Sequence, residues 1–293
     1  IFMINVCVLM STYNGSKYIK RQLETLFNQK NVQVSILIRD DGSSDDTLQI
    51  IKEINSSKIE LIEGNNLGFA ESFWSLIKIE NDYDYYAYCD QDDIWHEDKL
   101  YSAVKKIENY NMPALYTSDV IAVDENETAI KKNAFNVTKT LTYADSLIKS
   151  VLPGCTFVFN KALKQKLAKY NGFMISHDWT TYIIANITGC VVFDPVPHIN
   201  YRLHGNNAIG IDSNYLEFKK KLRRFFFPKQ KNTRSRVAEN IFFYYSDEMS
   251  DEKKEITRII FQCPKKNKIS FSFLKIKEFR NMNFILMYLL RRI

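Results

Sequence analysis

The sequence predicts an α/β fold: a mostly parallel central sheet flanked by helices, with a helical C-terminal extension. Three observations predict it. Short apolar runs at residues 5–10, 34–39, 59–62 and 85–89 have the length and composition of buried strands. The first three each lead through a polar turn into a helix-period segment, and repetition of this unit builds a parallel sheet covered by helices. Finally, the stretches richest in chemistry all follow a strand, where ligands gather in open α/β sheets.

Taken in order, the strand at 5–10 turns at Ser11-Thr12-Tyr13-Asn14-Gly15 into a helix over about 17–28. The strand at 34–39 turns at Asp40-Asp41-Gly42-Ser43-Ser44 into a helix over about 45–55. The run 59–62 leads through Asn65-Asn66-Leu67-Gly68-Phe69 to a helix ending near 79, and the strand at 85–89 runs straight into Asp90, Asp92 and Asp93. Beyond it the pattern predicts a helix over 97–109 and strands at 114–117 and 120–123 that widen the sheet. Residues 125–140, polar and aperiodic, read as a loop over or beside the site. A helix near 143–150, a strand at 156–159 and a helix over 161–170 follow. Ser176 or Asp178 then caps another helix. A strand at 191–193 precedes 201–207, which reads as a polar loop.

Length and composition bound the class. With 293 residues and 45% hydrophobic content, the chain is long enough to bury a substantial core, as one large domain or as one domain plus an appendage. We expect 1–210 as the main domain, divided near 95 into two halves, and 211–293 as a basic, mostly helical extension. The net charge of +6 is mild, and the basic residues concentrate after Lys219, so a partner surface is expected there and no nucleic acid. Lys219, Lys220, Lys221, Arg223 and Arg224 interleave with Phe225, Phe226 and Phe227; such a stretch docks on anionic membrane or packs its aromatic face. The five scattered cysteines form no disulfide framework or zinc spacing, and buried free thiols of a reducing cytoplasm are expected. The opening apolar run reads as a core strand rather than a secretion signal.

Three crowded carboxylates repel one another and lose hydration, and a divalent cation relieves both costs. Hard oxygen ligands select Mg2+ or Mn2+, the former usually shared with substrate phosphates. The plainer reading is that Asp92 and Asp93 open the next helix.

Three ordered motifs, Val8-Leu9-Met10-Ser11-Thr12-Tyr13-Asn14, Arg39-Asp40-Asp41-Gly42-Ser43-Ser44-Asp45-Asp46-Thr47 and Cys89-Asp90-Gln91-Asp92-Asp93-Ile94-Trp95, resemble glycosyltransferase family 2 over roughly residues 5–210. The resemblance implies a GT-A fold, a nucleotide-diphosphate sugar donor, Mn2+ or Mg2+ on the diphosphate, and inversion at the anomeric carbon. It places Ser11 and Tyr13 along the donor's base and Asp41 on a ring nitrogen of uracil or thymine. A carboxylate accepts such an N–H, and an aromatic ring offers a stacking face. It makes Asp92 the direct metal ligand, with Asp90 on the ribose or the metal shell, and leaves Asp93 to cap a helix. Asp178 matches the general base, with His177, standing where glutamate is frequent, as the alternative. Arg202 and His204 match a segment that meets the diphosphate, His204 also completing the metal shell. Trp95 and Trp179 read equally as sugar platforms or core.

The Cys-Asp-Gln-Asp-Asp-Ile-Trp, His-Asp-Trp and Tyr-Arg-x-His-Gly-Asn-Asn wording resembles bacterial rhamnosyltransferases, which implies a dTDP-rhamnose donor first and a UDP-sugar second. The acceptor implied is a saccharide, lipid-linked, in surface polysaccharide synthesis on the inner face of the cytoplasmic membrane. A nucleotidyltransferase is the rival enzyme, but it usually carries a Gly-rich basic loop after its first strand, and Ser11-Thr12-Tyr13-Asn14-Gly15 is not one. A sugar-binding or membrane-scaffold protein without catalysis is the other alternative.

Overall fold

The computed structural model describes residues 3–137, 140–149, 152–204, 232–262, 276–280 and 285. The chain divides into two compact units. The first is Ile1–Thr140, Ser150–Tyr170 and Ser176–Arg202, and the second is Leu141–Lys149, Asn171–Ile175 and Leu203–Ile293.

The strands of the first unit are β1 (Asn5–Thr12), β2 (Gln33–Asp40), β3 (Ile59–Glu63), β4 (Tyr85–Cys89), β5 (Ile94–Trp95), β6 (Ala114–Ser118), β7 (Ile121–Val123), β8 (Ala129–Lys132), β9 (Val158–Asn160), β10 (Cys190–Asp194) and β11 (Ile199–Arg202). Seven form the central sheet, in the order β10-β6-β9-β4-β1-β2-β3. Val6, Val8, Leu9 and Met10 of β1 are fully buried, as a strand covered on both faces must be. Helices α1 (Ile19–Phe27), α2 (Thr47–Ile54), α3 (Phe69–Lys78) and α4 (Lys99–Ile107) follow the first strands. Their apolar stripes explain why they pack: α1 buries Ile19, Leu23 and Leu26 at helical spacing while Lys20 and Glu24 stay exposed. Each such side chain contributes roughly 1.5–3 kcal/mol on burial.

The sheet is parallel except at β9, which runs antiparallel between β4 and β6, with Val158 opposite both Ala87 and Tyr116. A second sheet, β5-β11-β7-β8, corrects three expectations. The strand expected at 120–123 does not widen the central sheet: Asp119, buried at the turn after β6, accepts from the amides of Val120, Phe135 and Val137 and so turns the chain away. Residues 125–140 are not all loop, because β8 pairs antiparallel with β7. Tyr201 and Arg202 belong to β11 rather than to a polar loop, held between β7 and β5. Helices α6 (Lys161–Ala168) and α7 (His177–Thr188) complete this unit.

The second unit contains α5 (Tyr143–Ile148), α8 (Thr233–Tyr245) and α9 (Asp251–Gln262). Tyr143 and Thr257 share a hydroxyl hydrogen bond of 2.6 Å, and Arg234 Nε donates to the Ile148 carbonyl at 2.8 Å. The stretch from Lys219 to Phe227 and Cys263 lie outside the described residues. Among the described residues no helix is long and apolar enough to cross a membrane.

α7 passes to β10 through Gly189, where a Cβ would stand 1.8 Å from the Pro113 carbonyl oxygen that the Cys190 amide uses at 3.0 Å. Gly189→Ala is therefore expected to destabilise the fold by about 1–3 kcal/mol, as overpacking does. Urea unfolding measures it; an unchanged midpoint would contradict the close approach.

Candidate active site

β1 pairs in parallel with β2 on one side and β4 on the other, Thr12 opposite Asp40 and Met10 opposite Cys89. The winding direction therefore reverses at β1, and in open α/β sheets the crevice beyond such strand ends is where ligands bind. Three loops line it. Asp40 is spent on its own turn: it accepts from Thr12 Oγ1 at 2.9 Å, the amides of Gly42 and Ser43, and Ser43 Oγ at 2.6 Å. Asp41, 2% exposed, is ion-paired with Arg39 and accepts from the amides of Leu67 and Gly68 at 2.8 Å each. It thereby ties the β2 turn to the start of α3. Ser11 Oγ lies 2.6 Å from Ser72 Oγ, while the Tyr13 ring remains half exposed. The Tyr13 backbone and the Gln91 amide exchange two hydrogen bonds, of 2.9 and 3.1 Å, which lock the β1 and β4 loops together.

The carboxylates after β4 are crowded. Burial, then the charges of Asp92 and Asp178, push Asp90 up to about 7. Burial, then Asp92 and Asp90, drive Asp93 well above the usual carboxylate range. Asp93 Oδ1 accepts from the Arg202 amide at 3.2 Å, while its buried Oδ2 has no hydrogen-bond partner. Asp93 caps no helix: it is buried ahead of β5, and Asp98 precedes α4. Cys155, in the 3₁₀ turn Gly154–Thr156, brings its sulfur close to this pair; one ligand atom each from Asp90, Asp93 and Cys155 lie within 4.8 Å of one another. Carboxylates crowded in this way, with one buried Asp93 oxygen that no amide reaches, are a donor set that a divalent cation fits. The sequence pattern gave Cys155 no role beyond a buried thiol. Lys99 Nζ, fully buried and without a hydrogen-bond partner, lies 3.4 Å from the Trp95 ring centre, and burial depresses its pKa to about 8.

Asp178 sits in the first turn of α7, 7% exposed, its Oδ1 accepting from the Trp179 amide at 2.7 Å beside the capping Ser176. His177 is boxed in rings, stacked on Phe73 at 4.0 Å and edge-on to Tyr88 at 4.7 Å, with neither ring nitrogen hydrogen-bonded. A Cβ on Gly154 would stand 2.6 Å from His177 Nε2, so only glycine leaves this room. Burial lowers its pKa to about 4. That makes it a weaker base than the sequence reading allowed. Trp95 and Trp179 are both core, 2% and 8% exposed.

Arg202, 3% exposed, donates through Nε to the Asp92 carbonyl at 3.0 Å, through Nη1 to the Glu125 carbonyl at 2.7 Å, and through Nη2 to the Glu127 carboxylate at 3.1 Å. Its first effect is thus to brace the Asp92 loop. His204 belongs to the second unit.

The model of the glycosyl transferase family 2 matches residues 7–168. The dTDP-rhamnosyl transferase RfbG of Shigella flexneri is 34% identical over 248 residues, 78% of this chain and 82% of the relative. The chain belongs to glycosyl transferase family 2 and is a glycosyltransferase that resembles rhamnosyltransferases. Among solved structures, S. aureus TarS 1–349 in complex with UDP-GlcNAc matches with a TM-score of 0.58 at 18% identity, covering 99% of this chain and 82% of that one. The Pyrobaculum calidifontis mannosyltransferase PcManGT in complex with GDP-Man and Mn2+ matches at 0.58 and 15%, covering 89% and 70%. These likenesses place the fold among GT-A glycosyltransferases.

Because His177 is neutral when folded and protonates below about 6.5 when unfolded, its burial contributes stability above pH 6.5 that is lost as pH falls toward 4. Relative to His177→Phe, the native chain should therefore lose up to about 3 kcal/mol between pH 6.5 and 4, at about 1.4 kcal/mol per unit. Parallel urea titrations measure the difference, and a gap that does not vary with pH would contradict the burial of a neutral imidazole.

Proposed function

We propose that this chain transfers a sugar, with inversion, from a nucleotide-diphosphate donor to a saccharide acceptor, and that dTDP-rhamnose is the donor, with a UDP-sugar second. The observation that carries the reading is that Asp178 and the Asp90–Asp93 loop meet the same Gly154–Thr156 turn: a Cβ on Gly154 would stand 3.2 Å from the Asp178 Cβ, and the Cys155 sulfur lies within 4.8 Å of carboxylate oxygens of Asp90 and Asp93. The 34% identity to a dTDP-rhamnosyl transferase supports the donor. The lipid-linked acceptor, the role in bacterial surface polysaccharide synthesis and the inner membrane face are part of this proposal.

Ser11 and the exposed Tyr13 ring line the base, and Asp41 reads its imide N–H with acceptor capacity left beside Arg39 and the two amides. Asp90 and Asp92 hold Mg2+ or Mn2+ with help from Asp93; when bound, the ion supplies positive charge to the leaving diphosphate. Asp178 takes the acceptor hydroxyl's proton. Arg202 acts on the diphosphate through the loop it braces, and His204 is assigned to the diphosphate or the ion on its motif alone.

Asp178→Asn preserves the shape of the helix start but cannot take a proton, so turnover should fall about 10²–10⁴-fold with donor affinity unchanged. Calorimetry beside a transfer assay separates the two; an active Asp178→Asn enzyme would overturn the base assignment. Thermal shifts with dTDP-, UDP- and GDP-sugars plus Mn2+ test the donor, since a ligand at about 100 times its Kd stabilises by roughly 2.7 kcal/mol. The largest shift is expected with dTDP-rhamnose, and a GDP-sugar preference would refute the assignment.

A further inference from the structure

Arg39 is the penultimate residue of β2, and its guanidinium is turned into the molecule, the side chain being 7% exposed. Nη1 donates to Asp41 Oδ1 and, at 3.1 Å, to Ser72 Oγ, while Nη2 donates to the Asn65 carbonyl at 2.8 Å. Ser72 Oγ in turn lies 2.6 Å from Ser11 Oγ. One buried cation thus holds the β2 turn, the loop ahead of α3 and, through Ser72, the end of β1.

The two carboxylates of the β2 turn are occupied differently. Asp40 accepts from Thr12 Oγ1, the Gly42 and Ser43 amides and Ser43 Oγ, and so fills the roughly four acceptor positions of an ionised carboxylate. Among the described residues three donors reach Asp41: Arg39 Nη1 and the Leu67 amide share Oδ1, and the Gly68 amide is on Oδ2. The acceptor direction that remains is therefore on Oδ2, and Arg39 is what completes Oδ1. Well-packed apolar residues often replace a buried ion pair without loss of stability, so the pair is better explained by the orientation it fixes.

We propose that Arg39 is a positioning residue of the nucleobase subsite: by holding Asp41 Oδ1 it presents Oδ2 to the imide N–H of thymine or uracil, and so selects these bases over cytosine. Cytosine carries a lone pair, not a proton, on the same ring nitrogen and would set it against the carboxylate. Lysine at this position keeps the charge but lacks the planar fork that spans Asp41, Ser72 and Asn65. The inference rests on reading Asp41 as the base contact, and it adds which oxygen reads the base and which residue aims it.

Calorimetry of the full chain with dTDP and with dCDP, each with Mn2+, tests this. The two nucleotides share sugar and diphosphate, so the ratio of their affinities reads the base alone, and a loop merely displaced by a substitution would weaken both together. The native chain should prefer dTDP by roughly 10–100-fold, the scale of one buried acceptor left without its donor, and Asp41→Asn should lose the preference. Arg39→Lys should cut it at least about 5-fold. Ser72→Ala, which removes one anchor of the guanidinium, should show a smaller cut and carries the test if the lysine variant does not fold. A preference that survives in the folded variants, even with both affinities lowered together, would overturn the role of Arg39 and leave Asp41 as the base contact. A native chain that binds neither nucleotide, or both equally, would overturn the base reading and this inference with it.

Discussion

The crowding of acidic side chains beyond β4 is the constraint on which the rest of the site depends. Asp90, Asp92 and Asp93 follow the strand directly, and the charge of Asp178 arrives from α7. Carboxylates brought together out of water cannot all ionise, and the upward displacement of Asp90 and Asp93 expresses that conflict. The surrounding elements make sense as means of holding this cluster: β9 delivers the Gly154–Thr156 turn, β11 delivers Arg202, and the capped start of α7 delivers Asp178.

The second sheet works as a brace. Arg202 joins the Asp92 carbonyl to Glu125 and Glu127 of the β7–β8 turn, and that turn reaches α1 through Glu127 with Arg21 and the turn ahead of α1 through Glu125 with Lys17. The pairs with Lys17 and Arg21 are exposed, and exposed pairs contribute little each. The Arg202 guanidinium is different, because it is buried and its donors are aimed at fixed acceptors. A cation at the end of a two-sheet junction thus controls the backbone position of Asp92 rather than presenting an open charge.

How much of this was legible follows from what each residue signals locally. β1 and β4 carry unbroken apolar runs with buried faces, and β2 departs from that only at Ser35 and its polar ends, whereas β3, at the sheet edge, has no fully buried residue and was marked by its short apolar run alone; the turn chemistry after each strand located the site's loops as well. β8 could not be read, because Ala129–Lys132 is exposed throughout and has no apolar period. β11 mixes Asn200 and Arg202 with Ile199 and Tyr201, and its pairing partners, β5 and β7, are distant in sequence. The antiparallel direction of β9 is a property of topology, not of its residues, and it alone brings Cys155 to Asp90 and Asp93. His177 was ambiguous for the opposite reason: its neighbour Asp178 carries the chemistry, and only the rings of Phe73 and Tyr88 reveal that the imidazole is packed rather than presented.

On the proposed reading, these carboxylates are mutually frustrated until a divalent ion joins them. The most direct measurement is the melting temperature of the native chain and of Asp93→Asn, each in chelator and in Mn2+ with dTDP. Asparagine keeps an acceptor for the Arg202 amide but removes the charge. The account predicts a higher melting temperature than native in chelator and a smaller rise on adding the ion. A lower melting temperature in chelator together with an undiminished rise in Mn2+ would contradict it.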